Sequence, residues 1–376
     1  MTATAGRTAT STRAGDYLHG LDLLRVIGSC AVVLTHLTSW FRLHDRDFWM
    51  VTWVEHGLVR PLHLNPETPF VGVAIFLVIS GVVVTHVAGR EAPLPFLRRR
   101  LLRLIPLLWV VTVVAWIALK LGFHYEALEP EDVGVGDLFR NMALVGFFGK
   151  PPVVVVGVAW TLLVQVGFYV YVATTIPVLR RWPWIPPLAA APLCFVFILA
   201  TFDTKISAIG EVSGLIGYLP LLCVGQLVSL VHSRKIAPWA GVAIGSAHFL
   251  VIVWVDKLGR FASLGDAVPR TLLIAVLLTV LLVRMDGPVS RSAFVKGWAK
   301  RTYAVYLVHM LAMYPLFTWL LPYVDSTLLA LLGIASVALL TEVAHRFVEA
   351  PADRAIRKWE RRHREKRVAA VGGPTG

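Results

Sequence analysis

Ten long apolar runs set the limits on what this chain can fold into. They cover 18–41, 69–88, 101–121, 153–179, 185–201, 212–231, 238–255, 268–283, 301–321 and 327–349. A helix needs about 20 predominantly apolar residues to cross roughly 30 Å of hydrocarbon. Most of the runs reach that length, and the fifth and eighth are shorter. The mean hydropathy is +0.69. Hydrophobic residues make up 57% of the chain and charged residues only 16%, far from the balance of a soluble domain. The expected fold is all-α, a polytopic transmembrane bundle of about ten helices in the cell membrane.

The net charge of +13 could suggest nucleic acid, but its distribution argues otherwise. If the N-terminus is placed inside, 24 of the 36 Lys and Arg fall on inner segments. Examples are Arg90 and Arg98–Arg100, Arg180 and Arg181, Arg234 and Lys235, and the basic tail from Arg354 to Arg367. This is the positive-inside pattern. It places both termini in the cytoplasm and makes lipids, not nucleic acid, the partner of the charge. Residues 1–16 read as a disordered tail, 17–352 as one membrane domain and 353–376 as a basic cytoplasmic tail. The first apolar run has no small-residue cleavage site after it and reads as a permanent helix, not a signal peptide. Cys30, Cys194 and Cys223 all fall inside expected helices, so no disulfide framework is expected. His44, His56 and His63 have a spacing that fits no metal site.

Arg25 and His36 stand out against this background. They are eleven residues apart in LDLLRVIGSCAVVLTHL. At 3.6 residues per turn, eleven residues return to nearly the same helix face, roughly 16 Å along the axis. Ionisable groups inside a membrane are costly and mark function by default. Two structural explanations compete for Arg25: it can snorkel to the headgroups or pair with Asp22 one turn earlier. A hydrogen bond to a neighbouring helix competes for His36.

Six segments together resemble the acyltransferase family 3 integral membrane proteins. They are the Arg25–His36 segment; GVAIFLVISGVV, 72–83; FLRRRLLRLIP, 96–106, with Arg100, Arg103 and Pro106 in the Arg-x-x-Arg-x-x-Pro pattern; WTLLVQVGFY, 160–169; RTYAVYLVHM, 301–310; and HRFVEAP, 345–351. They occur in the family's order and span nearly the whole chain. The resemblance implies a membrane O-acyltransferase with no tightly bound cofactor. It would use a cytoplasmic acyl-CoA, most often acetyl-CoA. The acceptor would be a hydroxyl on a polysaccharide, peptidoglycan, a glycolipid or a glycosylated metabolite.

On that basis the residues take roles. An alcohol attacks only as its proton leaves, so His36 is expected as the base or as an acyl carrier. Arg25 would orient the donor or stabilise an oxyanion. Arg100 and Arg103, with Arg99 beside them, suit the donor's phosphates through forked contacts. Membrane anchoring competes for Arg98 and Arg99. Trp160, Tyr303 and His309 are the substrate-side candidates, with an aromatic belt the rival role for Trp160. Ser80-Gly81 reads as helix packing. Glu342, His345, Arg346 and Glu349 read as a structural ion-pair stripe. His36 lies toward the outer half of its helix and Arg100 at the inner surface, which suggests passage of acyl groups through the bundle.

One departure from the family pattern is Gln165, where an acidic residue is usual. It leaves room for a member that binds without reacting. A transporter or flippase of a solute or lipid-linked sugar is the other alternative, since intramembrane Arg and His would serve it equally. The sequence carries no inverted repeat that would favour transport.

Overall fold

The computed structural model describes residues 18–65, 70–123, 128–261 and 267–371, and side chains only as far as 362. The tail 1–16 and the last five residues of the basic tail lie outside the described residues. Every regular element among those described is helical: α1 (His19–Leu43), α2 (Trp49–Val54), α3 (Val71–Ala88), α4 (Pro93–Lys120), α5 (Val135–Met142), α6 (Trp160–Arg181), α7 (Ile185–Ala200), α8 (Ser207–Ile216), α9 (Leu219–His232), α10 (Pro238–Lys257), α11 (Val268–Leu282), α12 (Pro288–Arg291), α13 (Ala293–Ala299), α14 (Thr302–Leu320), α15 (Ser326–Ala344) and α16 (Ala350–Val371). Eight spans are long and apolar enough to cross a membrane, and α7 and α11 are shorter apolar helices. These ten correspond to the ten apolar runs.

Sequence explains several of the boundaries. Asp325 caps α15 by accepting from the backbone N–H of Thr327 and Leu328 at 2.8 and 3.1 Å, satisfying donors that the first turn leaves open. Pro93 starts α4 after an extended Ala92, the position where proline's fixed φ helps and its missing N–H costs nothing. At 28 residues, α4 is about 42 Å long at 1.5 Å per residue, longer than the hydrocarbon is thick. It is therefore long enough for its first turns, which carry Arg98–Arg103, to project beyond the hydrocarbon. The sixth run, 212–231, is not one continuous helix. It belongs to two helices, α8 and α9, with a break at Gly217–Tyr218 and Pro220 in the first turn after it.

α3 is the hub. It is apolar on every side and buried along most of its length, as a helix surrounded by others must be. It packs on α9, α1, α11 and α6. Glycines permit the closest of these contacts. A Cβ on Gly81 would lie 2.0 Å from the Leu222 carbonyl oxygen, and one on Gly225 would lie 2.0 Å from that of Val78. Here α3 and α9 meet backbone to backbone, the approach small residues provide between membrane helices. On the α1 side, a Cβ on Gly72 would lie 2.8 Å from Gly28 O. Adding bulk to a filled interface typically costs 1–3 kcal/mol. Gly225→Ala should therefore lower the thermal unfolding midpoint in detergent by several degrees. Gly167→Ala, in open space, should leave the midpoint unchanged or raise it slightly. Equal midpoints for both variants would contradict this packing.

The tail does not simply lie in solvent. α16 follows a π-helical turn at His345–Glu349 and packs on α4. Arg98 sits over the Trp359 ring at 4.3 Å, and Arg99 Nε donates to Glu360 at 2.6 Å.

Candidate active site: two cavities that share a wall

Two cavities lie within the bundle beside α3. The first, of about 140 Å³, opens near the arginine-rich start of α4. It is lined by Arg25, Ser80, Arg100, Arg103, Gln165, Tyr169, Thr302 and Tyr303, with apolar side chains of α3 and α6. The second, of about 430 Å³, lies toward the other end. Its lining includes Thr35, His36, Phe70, Trp160, Tyr218, Glu211 and Arg260. Val73 and Tyr306 line both. The arginine pocket and the histidine cavity thus share Val73 and Tyr306 as part of their walls.

α1 supplies one ionisable group to each. The eleven-residue spacing keeps Arg25 and His36 on one face, and its length divides them between the two spaces. Arg25 donates to Asp22 at 2.7 Å, and the Asp22 carboxylate is almost fully buried, at 3% exposure. The local pair is real, and Arg25 still faces the pocket. Two more guanidinium groups converge there from α4. Arg100 and Arg103 are one turn apart and lie on the same side. Neither has a carboxylate within ion-pair distance among the described residues. The structure separates Arg99 from them. It turns to the other side of α4, where it is held by Glu91 at 2.9 Å and Glu360 at 2.6 Å. The residue after it in sequence points about 100° away around the helix, which explains the division.

Hydrogen bonds fix His36. Its Nδ1 lies 3.0 Å from the Val32 carbonyl oxygen. A carbonyl only accepts, so Nδ1 carries the proton and Nε2 keeps its lone pair. Tyr314 donates to the His36 carbonyl at 3.2 Å, and Trp298 donates to Ser29 at 2.9 Å. These contacts tie α1 to α14 and α13. His309 of α14 meets His36 edge to face, with ring centroids 4.7 Å apart. Its Nδ1 reaches the carbonyls of Val305 and Tyr306 at 3.1 and 2.8 Å. By the same logic its Nε2 is an acceptor. That atom is fully buried and has no hydrogen-bond partner among the described residues. His309 lines neither cavity and sits behind His36.

The dividing Tyr306 is held in place. Its hydroxyl donates to Val158 O at 3.0 Å and accepts from Thr161 Oγ1 at 2.8 Å. Phe76 packs edge-on against its ring at 5.8 Å. Trp160 lines the histidine cavity, 4.6 Å from the Tyr218 ring. Tyr303 lines the arginine pocket, with its hydroxyl donating to Leu104 O at 2.8 Å. Gln165 donates to Ser80 Oγ at 3.0 Å and accepts from Tyr169 at 3.3 Å. Glu342 and Glu349 are engaged elsewhere. Glu342 pairs with Arg301 and Arg346, and Glu349 with His345. Neither lines the arginine pocket or the histidine cavity.

Tyr306, Tyr218, Glu211 and Arg260 carry no such role in the sequence reading. The sequence shows Tyr306 only as the neighbour of His309, one turn away on the same helix. Glu211 and Arg260 give no local signal, because each stands at the edge of an apolar run where charge is ordinary.

Comparison with known proteins agrees with this architecture. The model of a family described as an acyltransferase domain, acyltransferase family 3, matches residues 18–344. Nodulation protein 10 of Rhizobium leguminosarum is 25% identical over 79% of this chain and 83% of its own length. The peptidoglycan O-acetyltransferase OatA of Listeria monocytogenes is 23% identical over 89% of this chain, which spans 56% of that relative. The exopolysaccharide production protein ExoZ of Rhizobium meliloti is 24% identical over 64% of this chain and 76% of its own. No solved structure matches. With its family match running through both cavities and its helices built to cross a bilayer, the chain is a multi-pass membrane acyltransferase that belongs to acyltransferase family 3.

Proposed function

We propose that this protein moves an acyl group, most simply acetyl, from acyl-CoA to a carbohydrate hydroxyl, with the donor held on the arginine side and the acceptor on the histidine side. The observation that carries the reading is the shared wall. A three-arginine pocket suited to phosphate and a cavity holding an imidazole base share Val73 and Tyr306 in their walls. Arg25 and His36 are separated by roughly 16 Å of helix. A donor with its charge at one end and its thioester at the tip of a long arm suits that layout. The arginines would hold the donor's phosphates at the pocket's opening while the arm reaches past them toward Tyr306. The positive-inside pattern assigns the arginine end to the cytoplasm, where acyl-CoA is found.

In the reaction, His36 Nε2 takes the acceptor's hydroxyl proton as the oxygen attacks the thioester carbonyl. The tetrahedral intermediate expels the CoA thiolate. The imidazolium returns the proton to that sulfur, leaving an ester and free CoA. The peptidoglycan O-acetyltransferase among the relatives supports acetyl as the group and a glycan as the acceptor. The test is transfer of labelled acetyl from acetyl-CoA to glycan acceptors by the protein in sealed vesicles, with each substrate supplied on one side. Product formed only when the two are on opposite sides supports the reading. Product requiring both on the arginine side would overturn the assignment of the two cavities.

Gln165 gives a further prediction. Gln165→Glu adds a carboxylate to a pocket holding three guanidinium groups. One extra unit charge at an effective dielectric near 20 is worth on the order of 1–2 kcal/mol, so acyl-CoA should bind about tenfold more weakly. Calorimetry on the reconstituted protein measures this. Transfer by the glutamate variant alone, with none by wild type, would instead identify a member that has lost its chemistry.

A further inference from the structure

The six segments that resemble the family supply the arginines, His36, Trp160 and Tyr306. They supply none of Phe147, Glu211, Leu215, Tyr218 and Arg260, which close the far side of the histidine cavity. That side is assembled by the break between α8 and α9, which turns Gly214, Leu215 and Tyr218 toward the space, and by the end of α10. It has two distinct parts. One is an aromatic wall: Phe70 is nearly parallel to Trp160 at 6.3 Å, Trp160 lies 4.6 Å from Tyr218, and Tyr218 lies 4.7 Å from Phe261. The other is a pair of opposite charges that are not spent on each other. Glu211 is exposed and makes no hydrogen bond or ion pair among the described residues. Arg260 is braced by Phe202, donating to its carbonyl at 2.6 Å with the guanidinium 5.1 Å from its ring. A guanidinium has five N–H donors, so that brace leaves others for a ligand.

Few small molecules need all of this together. An aromatic wall takes an apolar face. A free carboxylate accepts from hydroxyls, and a fixed guanidinium donates to them. With no net charge between them, the two groups favour a neutral, polyhydroxylated ligand over an anion. A sugar ring has one face rich in C–H bonds and an edge of hydroxyls that both donate and accept. About 430 Å³ falls in the usual range for a small-molecule pocket. We propose that this cavity is a neutral pyranoside site, in which Glu211 and Arg260 hold ring hydroxyls against the Trp160–Tyr218 wall and so select the acceptor presented to His36. The proposal rests on the acyltransferase reading only for that last step.

The test uses the full-length protein in lipid nanodiscs and a panel of neutral methyl pyranosides (gluco, galacto, 2-acetamido and 6-deoxy). Binding is followed by saturation-transfer NMR, and transfer from acetyl-CoA is measured in parallel. At least one pyranoside should bind saturably. Glu211→Gln and Arg260→Ala should each weaken that binding and raise the acceptor KM by about ten- to a hundredfold, with kcat changed less than threefold. Acetyl-CoA affinity should stay as in wild type, which also reports that the variants are folded. The panel's rank order should change with Glu211→Gln, because a site built around a hydroxyl discriminates strongly against an analogue lacking it. Pyranoside binding that depends on Glu211 without any acyl transfer would keep the sugar site and remove the acyltransferase reading. Transfer that proceeds with unchanged acceptor KM in both variants would overturn the sugar site and keep the reaction. Failure of every pyranoside to bind wild type would also overturn it.

Discussion

Replacing His36 with Gln or Ala should reduce acetyl transfer by about 10²–10⁴-fold, the range a positioned general base contributes, and leave acyl-CoA affinity within twofold of wild type. The split follows from geometry. His36 lines the cavity beyond Tyr306, whereas the arginines line the pocket before it. His36→Gln removes the basic nitrogen but keeps a side chain able to hydrogen-bond Val32 O. It therefore separates lost chemistry from lost packing. Rapid quenching of wild type with labelled acetyl-CoA and no acceptor distinguishes the two forms of the mechanism. Label retained on the His36 peptide means an acyl-imidazole intermediate, and its absence means direct attack. If His36→Gln kept near wild-type transfer, or if donor binding fell in step with activity, His36 would be a structural histidine. His309, behind it with an open Nε2, would then be the base to examine.

The sequence made the bundle legible because hydrocarbon imposes one requirement on each crossing, and eight of the ten runs lie in helices that meet it in full. It also made the face shared by Arg25 and His36 legible, since helical period alone decides that. Contacts between helices distant in the chain were not legible. Tyr306 and Val73 become a partition only when α14 and α3 are set side by side, and nothing local to either marks it. Hydropathy could not reveal the break in the sixth run, because Gly217 and Tyr218 interrupt the helix without interrupting its apolar character. Yet that break turns Tyr218 into the cavity. Helical period sets Arg99 about 100° from Arg100, but only its partners, Glu91 and Glu360, show which of the two sides faces away from the pocket. Glu360 also explains why the tail is docked. Its partner on α4, Arg99, is 261 residues away in the chain, beyond the reach of any local pattern.

The second large effect is expected on the donor side. Arg100→Ala combined with Arg103→Ala should weaken acyl-CoA binding by about 10²–10⁴-fold. Hydrogen bonds to charged groups contribute roughly 1.5–3 kcal/mol each, and about 1.4 kcal/mol is a factor of ten in affinity. Each single variant should lose about ten- to a hundredfold. Lysine should restore only part of the loss, because it keeps the charge but not the fork that matches phosphate. Raising the salt should weaken wild-type binding more than it weakens the double variant, since the pocket is open enough for screening to reach it. Arg99→Ala is the internal control. It carries the same charge change on the same helix turn, but its partners are Glu91 and Glu360, so donor affinity should stay within twofold. Calorimetry with the reconstituted protein reads all of these. If Arg99→Ala weakened binding as much as Arg103→Ala, the positive charge of the membrane boundary as a whole would attract the donor, and the pocket would lose its claim. If none of the variants altered binding, Arg100 and Arg103 would be anchors like Arg98. The only donor contact left on α1 would then be Arg25, which already shares its charge with Asp22.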